Sequence, residues 1–286
     1  FDYWKMPSLV RFTLNSANSK NVLREIQKFP QSVQDEYRHS AVSIKKKVSR
    51  SQFEVWGRQG VVIAQKAVRS WEAASEYFRV SPYVMETLPF PDFLRWAESG
   101  VALCQDSSPV ASSYFRASQG TVHLLGVRYV TAWANLGRSL YKGTSGGSKE
   151  IQVRKGTWRS SALSAKFFEL SPNLASYLTF RELKDFVALL DILFHKSYDA
   201  AFDCLQLGSS VFPEVGQDKG ALISLVTTVA SENWREVRGC LEVAGNALHD
   251  VDESQRGRLF FLTERMVRRG ISDIANFLSE AAQALG

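Results

Sequence analysis

Residues 71–103 read WEAASEYFRVSPYVMETLPFPDFLRWAESGVAL, and this stretch decides the fold because it comes back. Leu88, Phe90, Phe93, Trp96, Gly100 and Leu103 recur as Leu125, Val127, Val130, Trp133, Gly137 and Leu140, every gap preserved at an offset of 37. A third copy at an offset of 90 is Leu178, Phe180, Leu183, Phe186, Leu190 and Leu193, with Phe in place of Trp and Leu in place of Gly. Upstream, Trp56 and Gly60 keep the Trp-to-Gly spacing of Trp96 and Gly100. The segment before each copy repeats as well. Ala74, Tyr77, Phe78 and Arg79 precede Ser81-Pro82; Ala111, Tyr114, Phe115 and Arg116 precede Ser118; Ala165, Phe167 and Phe168 precede Ser171-Pro172. Self-similarity at such a period marks stacked repeats, each unable to bury its apolar face alone.

Within a copy, Phe93, Trp96, Gly100 and Leu103 step by three or four residues and so share one helical face. No run alternates long enough to demand a sheet. Each unit therefore reads as a helix ending in an aromatic pair, a Ser-Pro turn, and a second helix carrying Trp and Gly. Pro82, Pro89, Pro91 and Pro172 are expected between helices, where a fixed φ and a missing N–H do least harm. Gly inside a helix costs roughly 0.5–1 kcal/mol relative to Ala, so its return at Gly60, Gly100 and Gly137 calls for a packing reason, read as close helix approach beside the indole. The predicted fold is all-α, an α-solenoid of stacked helical hairpins, a HEAT/TPR-like superhelix with a repeat of about 37 residues. Residues 1–54 are expected to cap it, the segment from Val22 to Tyr37 being interrupted by Pro30. Residues 55–205 hold the regular repeats, with an inserted loop at 142–159, and 206–286 hold two diverged hairpins, the whole forming one array.

Of the 286 residues, 45% are hydrophobic and 22% charged, which supplies a core and excludes disorder by composition. No long apolar run suggests a membrane span, and FDYWKMPSLV lacks the basic-then-apolar order of a secretory signal, so a cytoplasmic protein is expected. The start on Phe1 rather than Met suggests a processed or excised piece. Cys104, Cys204 and Cys240 form no C-x-x-C pair and read as buried small hydrophobes. The formal charge of +6 is uneven. Residues 1–180 hold 24 Lys and Arg against 13 Asp and Glu, and residues 181–286 hold 11 against 16. Such a split orients an acidic partner toward the first part.

The strings that resemble catalytic motifs fail on context. Gly143-Thr-Ser145-Gly-Gly147 has the nucleophile-elbow pattern, which needs a strand before it and a helix after it; here a helix precedes it and polar residues follow. As a phosphate loop it has Ser148 where the last Gly before Lys149 belongs, and Glu150 where the metal-binding hydroxyl belongs. His195, Asp199 and Asp203 share a helical face beside Cys204, yet a metal would need further ligands from elsewhere. His39, His123 and His249 are scattered. No catalytic, metal or cofactor-binding residues are assigned, and no cofactor is expected.

Two basic clusters remain as partner-binding candidates. One is Lys45, Lys46, Lys47 and Arg50, with Arg38 nearby; the other is Lys149, Arg154, Lys155, Trp158 and Arg159 in the insertion, after Lys142. Both suit an acidic protein surface or phosphates. An array that tracks a nucleic-acid backbone should repeat its basic positions, and Arg79/Arg116 is the pair that does so. Protein–protein interaction is thus the first reading and a nucleic-acid-binding solenoid the alternative.

WEAASEYFRVSPYVMETLPFPDFLRWAESGVAL and FFELSPNLASYLTFRELKDFVALL, within roughly residues 55–205, resemble the helical repeat region that precedes the von Willebrand A domain in NorD/CbbO/CoxE-like proteins. The resemblance implies a MoxR-type AAA+ ATPase as partner, a chaperone role toward metalloenzymes or other client complexes, and for this chain the part that docks target or ATPase. The von Willebrand A domain itself is missing: Asp106-Ser-Ser108 stops short of its D-x-S-x-S metal motif and lacks the preceding strand.

Overall fold

A computed structural model describes residues 19–66, 71–142, 158–247, 251–271 and 273–285, and these contain helices and no strand. The described residues of 1–141 and 156–172 make one compact unit, and those of 142–155 and 173–286 a second. The first holds α1 (Ser19–Ile26), α2 (Gln31–Lys47), α3 (Arg50–Lys66), α4 (Glu72–Thr87), α5 (Phe90–Asp106), α6 (Ser108–Leu125), α7 (Val130–Lys142) and α8 (Trp158–Tyr177) up to Pro172. The second continues with α9 (Phe180–Lys196), α10 (Tyr198–Val211), α11 (Lys219–Asn233), α12 (Val237–Ala247), α13 (Glu253–Val267) and α14 (Ile274–Leu285).

Each unit is a two-layer stack. In the first, α1, α3 and α5 pack in sequence as one layer and α2, α4 and α6 as the other. In the second, α9, α11 and α13 form one layer and α10, α12 and α14 the other. This is α-solenoid packing, in which each hairpin buries its apolar stripe against the next. The two hairpins expected after residue 206 are α11 with α12 and α13 with α14. Local signals set the boundaries. Thr179 and Glu182 form a reciprocal capping box at the start of α9, and Ser197 caps α10 by accepting from the Ala200 N–H at 3.3 Å. Pro30 and Pro89 stand at the N-caps of α2 and α5, Pro91 lies in the first turn of α5, and Gly126, at φ 73°, ends α6.

Ser81-Pro82 and Ser171-Pro172 do not form turns; they lie inside α4 and α8, and the chain leaves the helix only at Leu88 and Leu178. An internal Pro costs about 3 kcal/mol. That is of the order of one or two buried aromatic side chains at roughly 1.5–3 kcal/mol each, and both helices carry a fully buried pair just upstream, Tyr77-Phe78 and Phe167-Phe168.

The core of the first unit is an aromatic ladder. In each rung a Tyr on one helix lies against the Trp of the next, stacked in the first two and tilted in the third, and a Phe from the helix after that meets both rings edge-on. Tyr37 stacks on Trp56 at 5.2 Å and 13°, with Phe78 edge-on to the indole at 5.2 Å. Tyr77 stacks on Trp96 at 5.6 Å and 20°, with Phe115 edge-on at 5.2 Å. Tyr114 lies 4.9 Å from Trp133, with Phe168 perpendicular to the indole at 5.2 Å. The sequence pair Tyr77-Phe78 is therefore shared between rungs, the Phe closing one and the Tyr opening the next. Tyr37 stands 40 residues before Tyr77, so a further copy of the pattern begins inside the segment read as a cap.

The helical glycines are the sockets for these Phe rings. A Cβ at Gly60, Gly100 or Gly137 would lie 1.9, 2.0 or 2.1 Å from the Cζ of Phe78, Phe115 or Phe168 respectively, far inside van der Waals contact. The close approach is thus by a ring from the following helix, which reaches the indole through the space the glycine leaves. In α9 the arrangement inverts. Leu190 fills the glycine position, and Gly208 on α10 faces Phe186 instead, which packs perpendicular to Phe212 at 5.0 Å.

Buried polar atoms of the ladder are satisfied by repeat-specific bonds. The Tyr77 and Tyr114 hydroxyls donate to the Trp56 and Trp96 carbonyls, each at 3.1 Å. Trp96 Nε1 donates to Ser118 Oγ at 2.8 Å, and Trp133 Nε1 to Ser171 Oγ at 2.9 Å. Each serine in turn donates to the carbonyl four residues back, Tyr114 or Phe167. Ser81 makes that backbone bond too, but Trp56 Nε1 is buried without a protein partner.

Candidate partner-binding site

The side chains of the four-residue basic cluster point in different directions, because consecutive residues on a helix are about 100° apart. Lys45, Lys46 and Lys47 form the last turn of α2, where cations meet the negative end of the helix dipole. Lys47 turns toward α4, with Nζ 2.5 Å from Glu86 Oε1 and 3.3 Å from the Pro82 carbonyl. Lys46 is exposed. Lys45 leans the other way, with Nζ 5.1 Å from the centroid of Phe53. Arg50, at the start of α3, lies 3.5 Å from Glu54.

Lys45 and Arg50 thereby join Arg38 around a cleft of about 770 Å³ formed by α1, α2 and α3, with Glu54 as the acid in its lining. Its apolar surface is Leu23, Tyr37, Ala41, Val42 and Phe53. Val42 is 63% exposed and Leu23 43%, whereas the Tyr37 ring is buried as the first stacked ring of the ladder. Burial raises the Tyr37 phenol above its ordinary range, keeping it neutral. Arg38 is oriented by Asp35 and Gln34, each at 3.1 Å. The basic rim was legible in the sequence; its apolar lining was not singled out, although Arg38, Val42 and Lys45 follow at helical spacing.

A second groove of about 730 Å³ lies between α2 and α4 and carries mixed charge: Asp35, Glu36, His39, Arg79 and Glu86 line it with Ser40 and Tyr83. Arg79 and Arg116, the basic pair that repeats, are both engaged by acids. Arg79 bonds Glu76, and Arg116 reaches Glu72 at 2.5 Å and Glu76 at 3.0 Å.

Trp158 and Arg159 open α8, where Trp158 is 70% exposed and the Arg159 guanidinium lies 5.4 Å from its ring centroid. Lys149, Arg154 and Lys155 lie outside the described residues, as do the Gly143–Gly147 string and the rest of 143–157 in the inserted loop. In the second unit His195 Nδ1 lies 2.7 Å from the Asp191 carbonyl, and Asp203 pairs with Arg238 at 3.2 Å. Among the described residues no group of three or more His, Cys, Asp or Glu is placed to hold a metal ion. All three cysteines are buried free thiols, and burial pushes Cys104 and Cys240 up to about 12 and Cys204 higher. No described helix is long and apolar enough to cross a membrane.

Fold and cleft together define an α-helical repeat protein with a basic-rimmed apolar cleft among α1, α2 and α3. Compared with protein-family models, with curated proteins and with solved structures, the chain matches none.

Proposed function

We propose that this chain is a noncatalytic helical-repeat scaffold that mediates protein–protein interaction, serving as the target- or ATPase-docking part of a MoxR-type chaperone system in the cytoplasm. One observation carries the reading: the repeated residues are consumed by the stacking core, while the exposed apolar side chains Val42 and Leu23 lie beside Arg38, Lys45 and Arg50 at the cleft of α1, α2 and α3. An apolar patch rimmed by charge is the mark of a protein-docking surface. The engagement of Arg79 and Arg116 by Glu72 and Glu76 favours a protein partner over nucleic acid, since it removes the repeated cations a phosphate backbone would follow. The identity of the partner as a AAA+ ATPase or its client rests on the resemblance of the repeats.

The test is co-expression with a MoxR-type ATPase from the same genome, followed by size-exclusion chromatography with and without ATP. Co-elution is expected. Salt-dependent binding of DNA or RNA at about 50 mM salt without co-elution would overturn the reading. So would turnover by the isolated chain that is lost on a single substitution in the cleft.

A further inference from the structure

We infer that the cleft formed by α1, α2 and α3 receives an acidic amphipathic helix of a partner protein, apolar face inward and carboxylates on the Arg38, Lys45 and Arg50 rim; this rests on the scaffold reading above. The repeat explains why a cleft exists there. At every other rung of the first unit, the residue after the ladder Tyr is a Phe that plugs a glycine on the preceding helix: Phe78 at Gly60, Phe115 at Gly100. After Tyr37 that residue is Arg38. A guanidinium replaces the ring, on the α2 face that borders the cleft.

The cleft presents Val42 at 63% and Leu23 at 43% exposure, Phe53 partly covered by the Lys45 ammonium, and the edge of the buried Tyr37. The lining holds three cations, Arg38, Lys45 and Arg50, against the carboxylate Glu54; Glu54 lies 3.5 Å from Arg50 and Asp35 lies 3.1 Å from Arg38, so the local balance remains positive by one. A helix-in-groove ligand with anchors at i, i+3/i+4 and i+7 matches an apolar trough between helices, and the rim selects an acidic one by steering and by rejecting like charge. The Lys45–Phe53 contact also gives way readily, because a cation–π pair at an exposed site holds only about 0.5–1 kcal/mol.

The experiment pans a displayed library of helical peptides, unbiased in charge, against the full chain. Enriched peptides are expected to be acidic with apolar residues at helical spacing, to bind more weakly as salt rises, and to lose about tenfold or more in affinity on Val42→Glu or Lys45→Glu. Both substitutions are at exposed positions, and circular dichroism melting of each variant checks that the fold is kept. Neutral or basic enriched sequences, equal binding by the variants, or no enrichment would overturn the proposal. A photo-cross-linker at position 42 separates other occupants: a cross-link to residues 1–18 of the same chain or to a second copy also overturns it. If Val42→Glu leaves co-elution with the ATPase intact, this cleft is eliminated and the scaffold reading stands. If wild type shows no partner by either method, the scaffold reading itself falls.

Discussion

The Phe115 ring occupies the space that Gly100 leaves by lacking a side chain, and it meets the Trp96 indole there at 5.2 Å and 76°. The ring has little room to move, because the Tyr77 ring lies 5.5 Å and the Tyr114 ring 5.3 Å from it, and it is fully buried. Gly100→Ala therefore gains about 0.5–1 kcal/mol of helix propensity and loses more to overpacking, typically about 1–3 kcal/mol. Net destabilisation is expected in urea titration. Phe115→Leu in the same background should recover part of it, giving a coupling of about 0.5 kcal/mol or more in a double-mutant cycle. Additive effects would show that the two residues do not share a site.

Ser118 and Ser81 look alike in sequence but differ in what they hold. Ser118 accepts from the Trp96 indole, whereas Ser81 makes only its backbone bond. Ser118→Ala strands a buried N–H and should cost about 1–3 kcal/mol. Ser81→Ala should cost clearly less. Paired urea denaturation of the two variants decides, and equal losses would count against the indole bond.

Gln59 is fully buried on α3 with neither amide atom hydrogen-bonded. An unsatisfied buried amide carries a desolvation penalty of about 1–3 kcal/mol. Gln59→Met or Gln59→Leu should raise the unfolding midpoint. A lowered midpoint in both would mean that the amide contributes in the folded state.

Alkaline pH should destabilise the chain from about pH 9 upward, the ordinary thiol range. Burial holds the Cys104 and Cys240 thiols up to about 12, and Tyr77 and Tyr114 well above the usual phenol range. These groups stay protonated in the folded chain and ionise in the unfolded one. The unfolded state thus binds fewer protons, and stability falls with rising pH, first through the thiol window and then above about pH 10 through the tyrosines. Tyr114→Phe should reduce the slope above pH 10 in pH-dependent denaturation, although it also strands the Trp96 carbonyl bond. Cys104→Ala should make the fall between about 9 and 12 shallower, Cys240 and Cys204 still contributing to it.

The sequence by itself determined that this protein is all-helical and built from repeats. Offsets of 37 and 90 between matched apolar positions are covalent facts, and a three-to-four-residue step forces those positions onto one helix face. It also marked Gly60, Gly100 and Gly137 as packing sites, because an interior glycine has a local cost that something must offset. Tertiary structure alone decided what fills them. The partner of each glycine is a Phe on the following helix, and which of two adjacent aromatic residues faces which rung depends on helix rotation within the stack, not on spacing along one helix. For the same reason Pro82 and Pro172 sit inside helices: local rules favour a turn, and burial of the neighbouring ring pairs overrides them. The basic cluster followed the same logic. Charge composition showed Lys45, Lys46, Lys47 and Arg50 as neighbours, but the turn of α2 sent Lys47 to Glu86 and Lys45 to Phe53, and only the packing of α1 and α3 against α2 made a cleft beside one of them.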